Sequence, residues 1–300
     1  TQDGNAYFMP FLGDSSILFY NKDVFDEAGV PYPPQTWDGN PQWGLNEFLD
    51  VAKKLTIDRD GDGINEVWGF LDFGQIINAE YTVYGFGGHL IPQGAQRVNI
   101  NTPEAIEALR LMQDLRLKHK VSPGVEAVAT RDLSERFMAG NVAMAVMWSA
   151  HAQRFVDVDF NWGLAQLPEL KRRGGATWHS FMGMSRDTKY PEEAWELIKF
   201  LTVGEGQCIS AGMGFEAPLA DIPEIRDSYM TRVAVPEGSA EAILDNAKYS
   251  LFRYPIEGAA EVYRLFNEGY LQELLMGEIS AEEAAELLQE ETDFILEKFF

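Results

Sequence analysis

Two continuous apolar runs, Ser16 to Tyr20 and Val142 to Met147, each bounded by polar or glycine residues, constrain this chain more than any other feature. A strand without alternation has to be covered on both faces, which is the position of a central strand between helical layers. The sequence supplies those layers. Leu45, Phe48, Leu49, Ala52 and Leu55 follow the three-four spacing of one helix face. Thr102-Pro103-Glu104 gives an N-cap, a proline at the first helical position and an early acid, ahead of Ile106, Leu109 and Met112. Pro191-Glu192-Glu193 opens a helix carrying Ala194, Leu197, Ile198 and Leu201 that Gly204 should stop. Ser280 and Glu283 form a capping box before Ala284, Leu287 and Leu288. Alternating strands and helices without internal repeats predict an α/β layered fold.

The 300 residues suffice for one large domain or two medium ones. No stretch approaches the roughly 20 apolar residues that span a bilayer, and Thr1-Gln2-Asp3-Gly4-Asn5 lacks the layout of a signal peptide, so an export signal is expected outside the sequence. The net charge of -23 argues against nucleic acid and anionic membrane surfaces as partners and suits an uncharged ligand. The single cysteine, Cys208, excludes an internal disulfide and a four-cysteine zinc site. His89, His119, His151 and His179 show no metal-ligand spacing.

One segment does read as a cation loop. In Asp58-Arg59-Asp60-Gly61-Asp62-Gly63-Ile64-Asn65-Glu66, the oxygen donors Asp58, Asp60 and Asp62, glycine at position six, the Ile64 carbonyl at seven and Glu66 at nine reproduce most of a calcium loop. Position twelve is Gly69, where an EF-hand has its bidentate glutamate. A metal-free turn rich in aspartate is the other reading, and any calcium here is expected to be structural, with no cofactor required for function.

Ordered motifs then carry a resemblance. Leu18 to Phe25, Ala28-Gly29-Val30-Pro31, Pro33-Pro34-Gln35-Thr36-Trp37, Phe137 to Met144, Trp162 to Pro168 followed by Gly174-Gly175, and Pro191 to Thr202 stand in the order found in the family 1 extracellular solute-binding proteins, the relatives of maltose-binding protein. What the resemblance implies is a type II periplasmic-binding-protein-like fold, two hinged lobes with mixed sheets and a ligand cleft between them. It also implies capture of a sugar or oligosaccharide outside the cytoplasm, in the periplasm or on a surface lipoprotein, for the membrane permease of an ABC importer. In the family a longer run of strands and helices precedes the Tyr20-Asn21-Lys22-Asp23 passage, so the first lobe is expected to be incomplete. The expected lobes are residues 1–19 with 162–222, and 20–161 with 223–300.

Sugars have flat apolar faces edged by hydroxyls, so aromatic rings and polar groups make their binding walls. The resemblance places Trp148 with Ser149 at the end of the second apolar run, Trp178 with Gly175 after the glycine pair, Gln75, Asn78, Tyr81 and Tyr84 in a cleft segment, and Arg253 with Tyr254 in a late segment returning to the cleft. Each aromatic has core packing as its other reading. Trp37, Trp43, Trp68, Trp162 and Trp195 read as structural. No catalytic residue is expected. The enzyme alternative is a glycosidase, which needs two carboxylates facing each other across a cleft, and no nucleophile elbow, P-loop or HExxH helix is present.

Overall fold

The computed structural model describes residues 7–71, 76–92, 94–124, 133–213, 215–216, 222–232, 235–252 and 256–299. Its organising element is β1 (Met9–Asn21), a strand long enough to serve two sheets. From Met9 to Ser15 it pairs antiparallel with β4 (Ala176–Met182), which pairs in parallel with the short β5 (Leu251–Phe252). From Ser16 to Asn21 it runs between β2 (Met144–Trp148) and β3 (Trp162–Ala165), antiparallel to both. The register with β4 slips between Pro10 and Leu12, next to a proline that has no backbone N–H to give the ladder.

Alternation along β1 sorts its side chains into two cores. Leu18 and Tyr20 lie with Phe48, Ala52, Leu55, Trp37, Trp43 and Phe70. Ile17 and Phe19 lie with Phe137, Phe155, Trp162, Leu164 and Ile243. Both faces are covered, as the unbroken apolar run requires. The helices α1 (Lys22–Ala28), α2 (Leu45–Lys54), α3 (Ile76–Gly85), α4 (Pro103–Leu117), α5 (Leu133–Met138), α6 (Pro191–Thr202), α7 (Glu205–Gly212), α8 (Pro223–Arg232), α9 (Ser239–Ala247), α10 (Ala259–Glu268), α11 (Tyr270–Met276) and α12 (Ala281–Leu296) surround this frame. A 3₁₀ helix, Ser149–Phe155, continues directly from β2. A third core joins α3 and α4 to α10, α11 and α12 through Val83, Leu109, Met112, Phe266, Leu274 and Leu288.

The helix ends are those the sequence announces. Asn21 caps α1, accepting from the N–H groups of Asp23 and Val24, and Gly29 closes it at φ 63°. Thr102 accepts from Ala105 N–H with Pro103 in the first turn of α4, and Ser280 accepts from Glu283 N–H at α12. Four tryptophans behave as structural: Trp37, Trp43 and Trp162 are buried and Trp68 is half-buried. Trp195, on α6, is 44% exposed, in a helix of which only Ile198 and Thr202 are buried among the described residues.

The change of sheet along β1 comes between Ser15 and Ser16. β3 pairs with Leu18–Asn21 and buries Trp162 against Phe19 and Phe155; the chain joins the other sheet at Ala176.

Candidate ligand-binding site

The site grows from the point where β1 changes partners. Asp14 is directly opposite Trp178 of β4, and Ser16 is directly opposite Trp148 of β2. Opposed residues of antiparallel strands project to the same face, and so do residues two apart on one strand. The two tryptophans therefore flank β1 on a common face, half-buried, with ring centroids 6.2 Å apart and planes at 78°. Two aromatics separated in the chain by the 3₁₀ helix and β3 are brought together as one apolar wall.

Behind that wall is a buried polar cluster. Ser149 Oγ is 2.6 Å from Asp14 Oδ1 and 3.0 Å from Glu216 Oε1, Ser15 Oγ donates to Glu216 Oε2 at 2.7 Å, and Ala150 N–H donates to Asp14 Oδ1 at 3.0 Å. Glu216 is held in place by a two-bond bridge to Gly13. Burial pushes the Asp14 carboxyl up to about 6, against hydrogen bonds that lower it. Burial, and then the proximity of Asp14, push Glu216 up to about 8. Ser149 is thus not a free hydroxyl on the wall; at 1% exposure it joins Asp14 to Glu216. Asp14 and Glu216 were not singled out in the sequence. Asp14 had a signal, a carboxylate at the head of a strand with no polar face, whereas Glu216, between Phe215 and Ala217, had none.

The other candidates divide. Tyr84 lies under Arg172, whose Cζ stands 3.6 Å from the ring centroid and whose Nη2 donates to Gly88 O at 2.8 Å. His89 meets the same ring edge-on at 5.8 Å. Tyr84 and His89, with Glu80, Leu90 and Ile91, border a small cavity closed by Ala176, Leu251 and Phe252, so α3 faces β4 and β5 across it. Arg172 was missed because its role depends on the returning chain. Tyr81, expected beside Tyr84, is core: it is 8% exposed and packed in the cluster of Phe48 and Leu115, since α3 has β4 on one side and α4 on the other. Gly175 is buried against Ser16, and its carbonyl accepts from Leu251 N–H at 2.8 Å, so its small size serves strand packing. Gln75, Arg253 and Tyr254 lie outside the described residues, as does the side chain of Asn78.

Away from this wall, carboxylate oxygens of Asp58, Asp60, Asp62 and Glu66 lie within 4.8 Å of one another. The loop is folded by its own aspartates: Asp58 accepts from Gly61 and Gly63 N–H, Asp60 from Asp62 N–H, and Asp62 from Ile64 N–H. Each carboxylate keeps lone pairs beyond those bonds, the chemistry a hard cation needs. Position twelve is glycine for a steric reason: a Cβ on Gly69 would lie 1.8 Å from Ala52 O of α2.

Comparison with known proteins fits this geometry. The chain is 27% identical over 213 residues to a galactooligosaccharide-binding protein of Bacillus subtilis, covering 66% of this chain and 46% of that protein. It is 28% identical over 213 residues to an sn-glycerol-3-phosphate-binding periplasmic protein of Agrobacterium fabrum, covering 67% of this chain and 45% of that protein. The chain spans about half the length of the curated relatives it matches. Among solved structures, an ABC substrate-binding protein of Listeria monocytogenes in complex with cycloalternan superimposes with a TM-score of 0.84 at 24% identity, over 100% of this chain and 73% of that one. Maltose-bound MalE3 of T. maritima superimposes with a TM-score of 0.73 at 24% identity, over 98% and 74%. The fold is accordingly the mixed α/β fold of the MalE-like type II binding proteins. The profile of bacterial extracellular solute-binding proteins matches residues 1–207, and the chain belongs to that family.

Proposed function

We propose that this chain captures a sugar or oligosaccharide outside the cytoplasm and presents it to the membrane permease of an ABC importer. The observation that carries the reading is the Trp148–Trp178 wall at the point where β1 passes from one sheet to the other. Two rings meeting edge to face leave half-buried apolar surface for the flat face of a sugar ring. Tyr84 with Arg172, across the small cavity from β4 and β5, supplies an aromatic and a polar edge on the facing element. The lobes part at the change of sheet, so ligand contacts to both sides favour a closed arrangement. Similarity to a galactooligosaccharide-binding protein and to a binding protein in complex with cycloalternan supports a neutral saccharide. The net charge of -23 weighs against an anion such as glycerol phosphate.

The same site is a binding site and not a glycosidase centre. Asp14 and Glu216 share one serine hydroxyl on the same side of the tryptophans, whereas glycosidase carboxylates face each other across the bond they cleave. The Asp58–Glu66 loop serves as a structural calcium loop with no part in ligand capture.

Titration calorimetry with maltotriose, galactotriose, cycloalternan and sn-glycerol-3-phosphate, with chromatography of each mixture for products, tests the reading. Saturable binding of a neutral sugar without products is expected. Trp148→Ala should weaken it by about 1–3 kcal/mol, the range for losing a buried aromatic anchor. Equal affinity in wild type and variant removes Trp148 from the site, and hydrolysis products establish the enzyme instead.

A further inference from the structure

We propose that Asp14 and Glu216 are positioning residues for the Trp148–Trp178 wall, holding it through Ser149 with a single shared proton. The inference rests on the wall being the ligand surface, but the proton link stands on its own geometry.

A serine hydroxyl has one hydrogen, yet Ser149 Oγ has a carboxylate oxygen at 2.6 Å on Asp14 and another at 3.0 Å on Glu216. Donation to one leaves the other oxygen facing a lone pair. A proton on Glu216 resolves this: its O–H donates to Ser149 Oγ, Ser149 donates to Asp14, Ala150 N–H donates to the same Asp14 oxygen, and Ser15 donates to the second oxygen of Glu216. Every hydrogen in the chain then has an acceptor. With both acids ionised, two like charges would share a site that is 5% and 8% exposed.

Among the described residues the surrounding groups supply no countercharge. β1 contributes Asp14 itself, the 215–216 segment contributes Glu216, α8 contributes Tyr229 and β4 contributes His179, opposite Gly13. Burial, and then Glu216 and Asp14, push the Tyr229 phenol well above its ordinary range, and burial lowers His179. No lysine or arginine among the described residues holds either acid ionised. The mechanical link is short. Asp14 is paired with Trp178, and Ser149 directly follows Trp148, so the cluster is attached to both rings. Ionising Glu216 replaces its donated bond by repulsion from Asp14 and loosens that attachment.

Both acids titrate higher in the folded chain than in the unfolded one, so the stability they add is complete at low pH. It is lost as pH rises through about 6 for Asp14 and about 8 for Glu216. The experiment records the circular dichroism of the intact chain from pH 5 to 9.5, subtracting Trp178→Phe to isolate the signal of the tryptophan pair, with urea denaturation at each pH. The pair signal should hold to about pH 7 and fall by half or more through about pH 8, a step separate from His89, His119 and His179, which burial holds below the ordinary histidine range. Glu216→Gln, whose amide can donate to Ser149 and accept from Ser15, should keep the signal flat across that range and remove the upper step from the denaturation midpoint. A wild-type pair signal flat to pH 9.5, or a Glu216→Gln signal that titrates like wild type, overturns the proposal; if the variant does not fold, the wild-type profile alone decides. A correct pH profile in a chain that binds none of the sugars keeps the proton link and rejects the ligand surface.

Discussion

Replacing Gly175 with alanine distinguishes packing from ligand contact at a position the family resemblance placed in the cleft. The new Cβ would lie 2.2 Å from Ser16 Oγ, 2.7 Å from Leu167 Cδ1 and 3.1 Å from Ser16 O. Rotating the Ser16 hydroxyl away is not free, because it accepts from Ala176 N–H at 2.9 Å and donates to Ala176 O at 3.2 Å where β4 begins. An orphaned buried N–H costs about 1–3 kcal/mol, and forcing atoms into a filled site costs about as much. The reduced entropy of the unfolded chain returns about 0.4–1 kcal/mol. The net expectation is a loss of about 3 kcal/mol, read as a lower urea midpoint with an unchanged slope. Gly124→Ala, which meets no atom within 4 Å, should stay within about 0.5 kcal/mol of wild type. A Gly175→Ala protein as stable as wild type but weaker toward its sugar would refute the packing argument and return Gly175 to the ligand wall.

If the Asp58–Glu66 loop takes up calcium, millimolar calcium should raise the melting temperature relative to chelator while sugar affinity stays unchanged, because a ligand of the folded state stabilises by mass action; superimposable melting curves would sink it. The exposed apolar side chains of α6, Trp195 on one flank and Leu197 with Phe200 on another, all more than 40% exposed, should make the chain associate as concentration rises. Light scattering should show less association for Leu197→Glu, and a wild-type protein that remains monomeric at high concentration contradicts that expectation.

What was legible in the sequence was whatever is decided locally. The ends of α4 and α12 could be placed because Thr102 and Ser280 each satisfy an N–H only three residues away, and the second half of β1 because an unbroken apolar run has to be covered. Trp148 and Trp178 were expected in the site because each sits in a motif, although nothing in either motif says that the rings meet. The first half of β1 stayed unread since Pro10 and Gly13 are poor strand residues, tolerated here because that half pairs with a single strand. Trp195 was read as structural, on a helix expected to have too little sheet to cover it, and it is indeed exposed there. Helical periodicity shows that a face is apolar, which is a demand for a covering layer and not evidence of one, and α6 has the face with little over it.

The acid pair was the least legible feature, and the reason is combinatorial as well as physical. Among 47 aspartates and glutamates, nothing local pairs Asp14 with a glutamate some two hundred residues later; Ser15 and Glu216 alone are 201 positions apart. What singles the pair out is a shortage that exists only after folding: two carboxylates, no cation beside them among the described residues, and a serine hydroxyl with too few hydrogens for both. The composition that makes the chain so acidic therefore hides the acids that matter. A surface carboxylate keeps its water and its charge, whereas one sealed behind the tryptophans can remain only as part of a proton-sharing chain. The polar cluster beside the tryptophan pair is thus a consequence of where β1 changes sheets, because that crossing brings Asp14, Ser149 and Glu216 to one point.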